Sequence, residues 1–104
     1  MSQHVFEAED GQIVLAGYDR QCGEYFYTIF ASNDVEEPTA ESVDGPHEIA
    51  HLRKQVDALV SGVPSAMYDS IRDDAIGNVG NRVVRWSRDG TIESDSAALS
   101  QKAA

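Results

Sequence analysis

The chain has 104 residues, 41% of them hydrophobic, which suits one domain with a single modest core. Its 18 acidic and 8 basic residues give a formal net charge of −10. Such a charge repels nucleic-acid phosphates and anionic membranes, so it favours basic partners and disfavours nucleic acid as a ligand. The same charge also serves solubility alone, and both readings stay open at this point.

Targeting signals are not indicated in the sequence. Residues 1–10 lack the basic stretch and apolar run of a signal peptide, and the longest apolar run, Ile13-Val14-Leu15-Ala16, is too short to span a membrane. Cys22 is the only cysteine, so no intramolecular disulfide can form. We therefore expect a cytoplasmic protein without a membrane partner, whose thiol has little reason to be reactive.

Three strands are predicted in the first third of the chain, over 4–8, 12–20 and 24–32. Asp10-Gly11 between the first two indicates a tight hairpin turn, because glycine adopts positive φ without steric cost. The third strand is apolar on both faces, which are formed by Phe26, Thr28 and Phe30 and by Tyr25, Tyr27 and Ile29. Two apolar faces indicate a central strand or a strand whose outer face is covered.

An acidic segment, defined here as residues 34–44, follows the third strand. It contains five carboxylates and no basic residue: Asp34, Glu36, Glu37, Glu41 and Asp44. We expect an exposed, mobile connection, because surface loops are usually polar. Alternatively, the segment docks on a basic partner or imitates a phosphate backbone.

Two helices are predicted next. The first is expected to begin near Pro46, with Asp44 as its cap, and to end at Gly62, with helical spacing of Ile49, Leu52, Val56, Leu59 and Val60. The second is expected to run from Pro64 to Gly77, with the apolar positions Met67, Ile71 and Ala75. Asp69, Asp73 and Asp74 are expected on its solvated face.

The sequence of the last part of the chain predicts a strand around Val83, Val84 and Trp86, a hairpin turn at Asp89-Gly90, and a short return strand over 91–93. We expect one domain over 1–94 and a disordered tail over 95–104. The order of three strands, two helices and two strands predicts an α+β fold, in which a helix pair packs on one face of an antiparallel sheet.

His47-Glu48-Ile49-Ala50-His51 spells the HExxH string of zinc hydrolases. On a helix the two histidines would share the metal, and Glu48 would act as the general base. However, both histidines fall opposite the apolar stripe, and a hydrolase needs a shielded cleft and a third ligand. The interpretation we favour is a pair of exposed histidines, so that neither a metal nor another cofactor is expected.

Basic and aromatic residues near the end of the chain allow a second hypothesis. Arg82, Arg85 and Arg88 flank Trp86, a combination that can hold single-stranded nucleic acid. Strand alternation instead places Trp86 in the core beside Val84 and leaves the arginines to pair with surplus carboxylates. Nucleic-acid binding, or imitation of DNA by the acidic surface, therefore remains a minor alternative.

The function we expect is a protein-interaction, accessory or inhibitory module rather than an enzyme. Its partner would be an unidentified protein, for which the net charge favours a basic surface, and the contacts would be made by the acidic segment and by the helix face around His51 and Lys54. Tyr18 and Arg20 form a further candidate patch, since aromatic residues and arginine are favoured at interfaces. The zinc hydrolase and the nucleic-acid-related protein are the alternatives.

Overall fold

The computed structural model of the chain describes residues 1–31 and 34–96, with side chains described over 1–31 and 37–96. These residues form the strands and helices β1 (Ser2–Glu7), β2 (Ile13–Asp19), β3 (Glu24–Ala31), β4 (Asp34–Glu41), α1 (Ile49–Leu59), α2 (Ser65–Ile76), β5 (Arg82–Trp86) and β6 (Ile92–Asp95). The predicted α+β fold with a helix pair on a sheet is confirmed.

The strands form one sheet in the order β4-β3-β2-β1-β5-β6. Neighbouring strands are antiparallel except β1 and β5, which are parallel, with Val5 opposite Arg85 and Phe6 opposite Trp86. The expectation of a purely antiparallel sheet was therefore wrong at this one pair. The reason is topological: the helix pair carries the chain back to the start of β1, so that β5 runs in the same direction.

The acidic segment is not the loop that its composition predicted. Residues 34–41 form β4, which pairs with the outer edge of β3 and makes Ala40 the partner of Ile29. Pairing overrides composition here because β3 offers a row of backbone groups that need hydrogen-bond partners. An acidic strand with Pro38 and an irregular register also suits a sheet edge, where it discourages further strand addition. The side chains of Asp34 and Glu36 lie outside those described.

The first helix begins later than predicted. α1 starts at Ile49 with Glu48 at the N-cap, so Asp44 lies too far upstream to cap it. Leu52, Val56 and Val60 are buried as expected, whereas Leu59 is 45% exposed and does not belong to the core. α2 follows Pro64 as predicted and buries Met67, Tyr68, Ile71 and Asp74.

The core lies between the helix pair and one face of the sheet. Alternate residues of the strands meet the helices there, in the cluster Phe6, Ala8, Val14, Ala16, Tyr25, Tyr27, Ile29, Leu52, Val56, Val60, Val63, Met67, Tyr68, Ile71, Val84 and Trp86. The predicted placement of Trp86 in the core beside Val84 is confirmed. No helix among the described residues is long and apolar enough to cross a membrane.

The folded part of the chain extends slightly beyond the predicted domain boundary at residue 94. β6 runs to Asp95, and the Oγ of Ser96 accepts a hydrogen bond from the backbone N–H of Val83 at 2.8 Å. Asp95 of the predicted tail therefore belongs to the sheet, and Ser96 is hydrogen-bonded to β5. The remainder of that tail, residues 97–104, lies outside the described part.

Candidate functional site

The HExxH string does not adopt the geometry of a zinc hydrolase. His47 precedes α1 and His51 lies within it, so the two imidazoles do not occupy consecutive turns of one helix. Both side chains are exposed, and Nε2 of His51 lies 3.8 Å from a carboxylate oxygen of Glu48. Among the side chains described over 1–31 and 37–96, no three His, Cys, Asp or Glu residues are grouped to hold a metal. The arrangement therefore gives no support to metal-dependent catalysis at these residues.

The third histidine, His4, begins a buried polar chain that the sequence analysis did not anticipate. His4 is fully buried; its Nε2 lies 2.6 Å from Oδ2 of Asp74, and its Nδ1 accepts a hydrogen bond of 2.9 Å from Nε1 of Trp86. Asp74 is only 1% exposed. This corrects the expectation that Asp74 lies on a solvated helix face.

Arg82 continues the same chain toward the sheet edge. Its guanidinium donates one hydrogen bond to Asp74 and two to Asp95, the latter at 3.1 Å and 2.6 Å. These contacts confirm the predicted pairing of this arginine with carboxylates. We refer to Trp86, His4, Asp74, Arg82 and Asp95 together as the buried polar chain.

Electrostatics keep the carboxylate of Asp74 ionised. Burial raises the pKa of Asp74, but the hydrogen bond from His4 and the positive charge of Arg82 lower that pKa more strongly, so it lies below its ordinary value. The hydrogen bonds from Arg82 to Asp95 in turn raise the pKa of the guanidinium. A carboxylate beside an imidazole is a familiar catalytic pair, yet here both ring nitrogens are occupied and solvent is excluded. The buried polar chain therefore joins β1, α2, β5 and β6 rather than acting on a substrate.

The sheet face away from the helices is the larger candidate site, and we call it the open face. The residues that alternate with the core positions project there, and none of the described helices or strands packs over them. The apolar ones, partly or largely exposed, are Val5, Ile13, Leu15, Phe26, Phe30 and Val83. Val5, Leu15, Ile13 and Phe30 form one apolar patch, because Val5 is opposite Leu15, Ile13 is opposite Phe30, and Ile13 and Leu15 are neighbours on one face of β2. Phe26 and Val83 lie on the same sheet face, opposite Gly17 and Gln3.

Carboxylates surround this apolar patch. Strand alternation places Glu7, Glu24 and Glu41 on the open face, while Arg85 supplies a positive charge on β5. Glu41 is opposite Thr28, and Glu7 is opposite Ile13. The open face therefore combines an apolar centre with a mainly acidic rim.

Of the surfaces proposed from the sequence, only Glu41 of the acidic segment lies on the open face, and the structure separates the acidic segment from the helix face around His51 and Lys54. Glu37 and Glu41 of the acidic segment are exposed on or next to the β4 edge, and Asp44 is exposed before α1. His51 and Lys54 are exposed on the helix layer. These two surfaces are therefore on different layers of the molecule.

Tyr18 and Arg20 do not form the joint patch that was considered. The ring of Tyr18 packs edge-on against Tyr25, with centroids 5.4 Å apart, and contacts the core. Arg20 is exposed and donates a weak hydrogen bond of 3.4 Å to the carbonyl oxygen of Asn78. The aromatic ring thus serves packing, and only the arginine is presented to solvent.

The arrangement of basic residues does not favour direct nucleic-acid binding. Trp86 is 7% exposed and cannot stack on bases. Arg82 is held in the buried polar chain, Arg85 lies on the open face, and Arg88 donates to the carbonyl oxygens of Glu7 and Ala8. The three arginines therefore do not share one surface.

The single thiol is poorly suited to nucleophilic chemistry. Cys22 is exposed in the turn between β2 and β3. A hydrogen bond to the carboxylate of Asp19, and the negative charge of that carboxylate, raise the pKa of the thiol.

No family model, curated protein or solved structure matches this chain. The function is therefore inferred from the geometry of the site.

Proposed function

We propose that this protein is an interaction module, with an accessory or inhibitory role, that binds a basic protein partner through its open face. The observation that carries the proposal is the apolar patch on that face, which spans β3, β2 and β1 opposite the helix layer. In this proposal the acidic segment contributes only Glu41, at the rim, and the helix face around His51 and Lys54 takes no part.

The apolar side chains of the patch lie next to one another across the strands. Single exposed apolar side chains are normal on a protein surface, whereas contiguous patches mark binding sites. Phe30 in the patch and Phe26 further along β3 are the largest apolar residues of the open face, and aromatic residues are enriched in the central, water-excluding part of protein interfaces. A partner that covers them removes apolar surface from water, which is the main driving force for association.

Charge identifies the chemistry of the partner. Glu7, Glu24 and Glu41 at the rim attract a surface that carries lysine or arginine around an apolar centre. A second copy of this chain is disfavoured, because each copy has a net charge of −10 and presents the same acidic rim. We place this interaction in the cytoplasm, where the single cysteine needs no disulfide partner.

The test compares two variants that each insert one lysine at an apolar position. Leu15→Lys places the charge in the middle of the open face, whereas Ile76→Lys places it at the end of α2, where the isoleucine is 77% exposed. Tagged full-length chains are used to capture proteins from an extract of the source cells, after amide NMR spectra confirm that both variants are folded. A basic protein that Leu15→Lys no longer captures, and that Ile76→Lys still captures, supports the proposal.

Two further variants distinguish the open face from the surfaces considered earlier. Glu37→Gln with Asp44→Asn neutralises described carboxylates of the acidic segment, and His51→Asp with Lys54→Glu reverses the charge on α1. If either pair abolishes capture while Leu15→Lys leaves it intact, the open face is not the contact surface. Captured proteins that all four chains retain equally also contradict the proposal.

A further inference from the structure

A concavity of about 360 Å³ lies at one end of the open face, where β1, β5 and β6 meet. The apolar side chains of Val5 and Ile13 line part of it, and we call these two residues its floor. Its wall carries four exposed charged side chains, Glu7, Arg85, Arg88 and Glu93. The volume falls within the range of about 300–1,000 Å³ that is typical of small-molecule sites.

The charges around this concavity are not paired with one another. Among the ion pairs of the described residues, none joins either arginine of the wall to either glutamate. The guanidinium of Arg88 is instead positioned by the carbonyl oxygens of Glu7 and Ala8, at 3.2 Å and 3.3 Å. Two cations and two anions thus border one apolar floor, and each group retains hydrogen-bonding capacity toward the concavity.

This combination selects a ligand that carries both charges. A simple anion is repelled by the two glutamates, and a simple cation is repelled by the two arginines. A small zwitterion satisfies both sets of charges, and an apolar substituent on it can cover Val5 and Ile13. An ordinary aliphatic α-amino acid has these three features on one carbon atom.

We propose that the concavity binds a free aliphatic α-amino acid of the leucine type. The α-carboxylate accepts hydrogen bonds from Arg85 and Arg88, the α-ammonium donates to Glu7 and Glu93, and the side chain lies on Val5 and Ile13. This proposal goes beyond partner binding and does not depend on it. It concerns the β1–β5–β6 end of the open face and shares Val5 and Ile13 with the apolar patch, whereas its charged residues Arg88 and Glu93 lie beyond that patch.

The test titrates the ¹⁵N-labelled full chain with three ligands of the same size class. L-leucine carries both charges, N-acetyl-leucine lacks the ammonium, and leucinamide lacks the carboxylate. With leucine, we expect saturable amide shifts at Val5, Ile13 and Arg85. Each blocked ligand should bind about fivefold more weakly than leucine, because it lacks one of the two charged groups that form exposed ion pairs with the protein.

Two variants then assign each charge to its partner. Arg85→Gln is expected to weaken leucine binding about fivefold but not to weaken leucinamide binding, because leucinamide has no carboxylate to lose and is repelled by one arginine fewer. Glu93→Gln is expected to weaken leucine binding similarly but not to weaken N-acetyl-leucine binding, because that anion is repelled by one glutamate fewer. Arg20→Gln removes an exposed charge at the opposite end of β2, and leucine affinity should not change.

Several results would overturn the assignment. These are the absence of saturation up to the solubility limit of leucine, equal binding of all three ligands, or shifts centred away from β1 and β5. Failure here leaves the proposed protein interaction intact, because capture of the partner is measured without added leucine. Conversely, Leu15→Lys can abolish partner capture while the leucine-induced shifts at Arg85 persist.

Discussion

The indole N–H of Trp86 donates a hydrogen bond of 2.9 Å to Nδ1 of His4, although the two residues are 82 positions apart. Indole nitrogen can only donate, so Nδ1 carries no proton, and the imidazole proton resides on Nε2. That proton is donated to Asp74 at 2.6 Å. One contact between β5 and β1 therefore fixes the tautomer of a fully buried histidine and the direction of its hydrogen bond to α2.

Removal of the Asp74 carboxylate should destabilise the fold strongly. Asp74→Ala leaves the buried Nε2–H of His4 without an acceptor and removes one of the two carboxylates that pair with Arg82. Breaking a buried charge pair by deleting one partner typically costs about 3–5 kcal/mol in free energy of unfolding. Urea denaturation provides the measurement. The exposed neighbour Asp73 provides the control, because Asp73→Ala should change the free energy of unfolding by no more than about 0.5 kcal/mol. Equal losses of free energy in the two variants would contradict the role of Asp74.

The same carboxylate should make stability depend on pH in the acidic range. The pKa of Asp74 in the folded protein lies below its ordinary value of 3.8, so ionised Asp74 contributes stability above that value. This contribution is lost as the pH falls from 3.8 through the lower pKa of the folded state. We therefore expect the wild-type chain to lose more free energy of unfolding than Asp74→Asn between about pH 6 and about pH 3. Asp73→Asn should follow the wild-type curve, and a steeper curve for Asp74→Asn would contradict the prediction.

Gly17 should not tolerate a methyl group. A Cβ at this position collides with the carbonyl oxygen of Ser2 and lies 3.2 Å from Cζ of Phe26. Because Ser2 belongs to the neighbouring strand, Gly17→Ala requires a backbone shift, and overpacking of this kind costs about 1–3 kcal/mol or more. Thermal unfolding measures the effect. Gly80→Ala is a matched control, since its Cβ meets only the flexible end of Arg20 at 3.4 Å. If Gly80→Ala lost as much thermal stability as Gly17→Ala, the steric explanation would be refuted.

Cys22 should react slowly with thiol reagents despite its exposure. The hydrogen bond to Asp19 and the charge of that carboxylate raise the pKa of the thiol, so less thiolate is present near neutral pH. Asp19→Asn should therefore accelerate alkylation by iodoacetamide, measured by mass spectrometry over time. Asp10→Asn, in the preceding turn, should leave the rate unchanged. An unchanged rate in Asp19→Asn would show that the carboxylate does not control the thiol.

Local patterns were sufficient to predict most of the strands and helices. Alternation placed β2 and β3 within a residue or so of their observed ends, and helical spacing identified α2 correctly after Pro64. The edge strand β4 could not be predicted in this way. Its acidic, proline-containing sequence has low strand propensity, and it becomes a strand only because β3 presents an unpaired edge.

The buried polar chain was missed although the sequence contained a signal for it. Asp74 lies three positions after Ile71 and seven after Met67, which places it on the apolar stripe of α2. A carboxylate at such a position requires a buried partner. Alternation with Phe6 likewise placed His4 on the inner face of β1. No local pattern could predict the parallel pairing of β1 with β5. This pairing brings Trp86 to His4 and Arg82 to Asp74.

The position of β1 within the sheet has a consequence for the order of events during synthesis. β1 lies between β2 and β5, so it receives its second neighbour only after Trp86 has been translated. Until then, the nascent chain exposes one edge of β1, and His4 lacks its indole donor. Contacts of such long sequence separation slow folding, because the chain must close a large loop before they form. We therefore expect this domain to complete its fold only once β5 has left the ribosome, and nascent chains arrested before β5 to be sensitive to proteolysis.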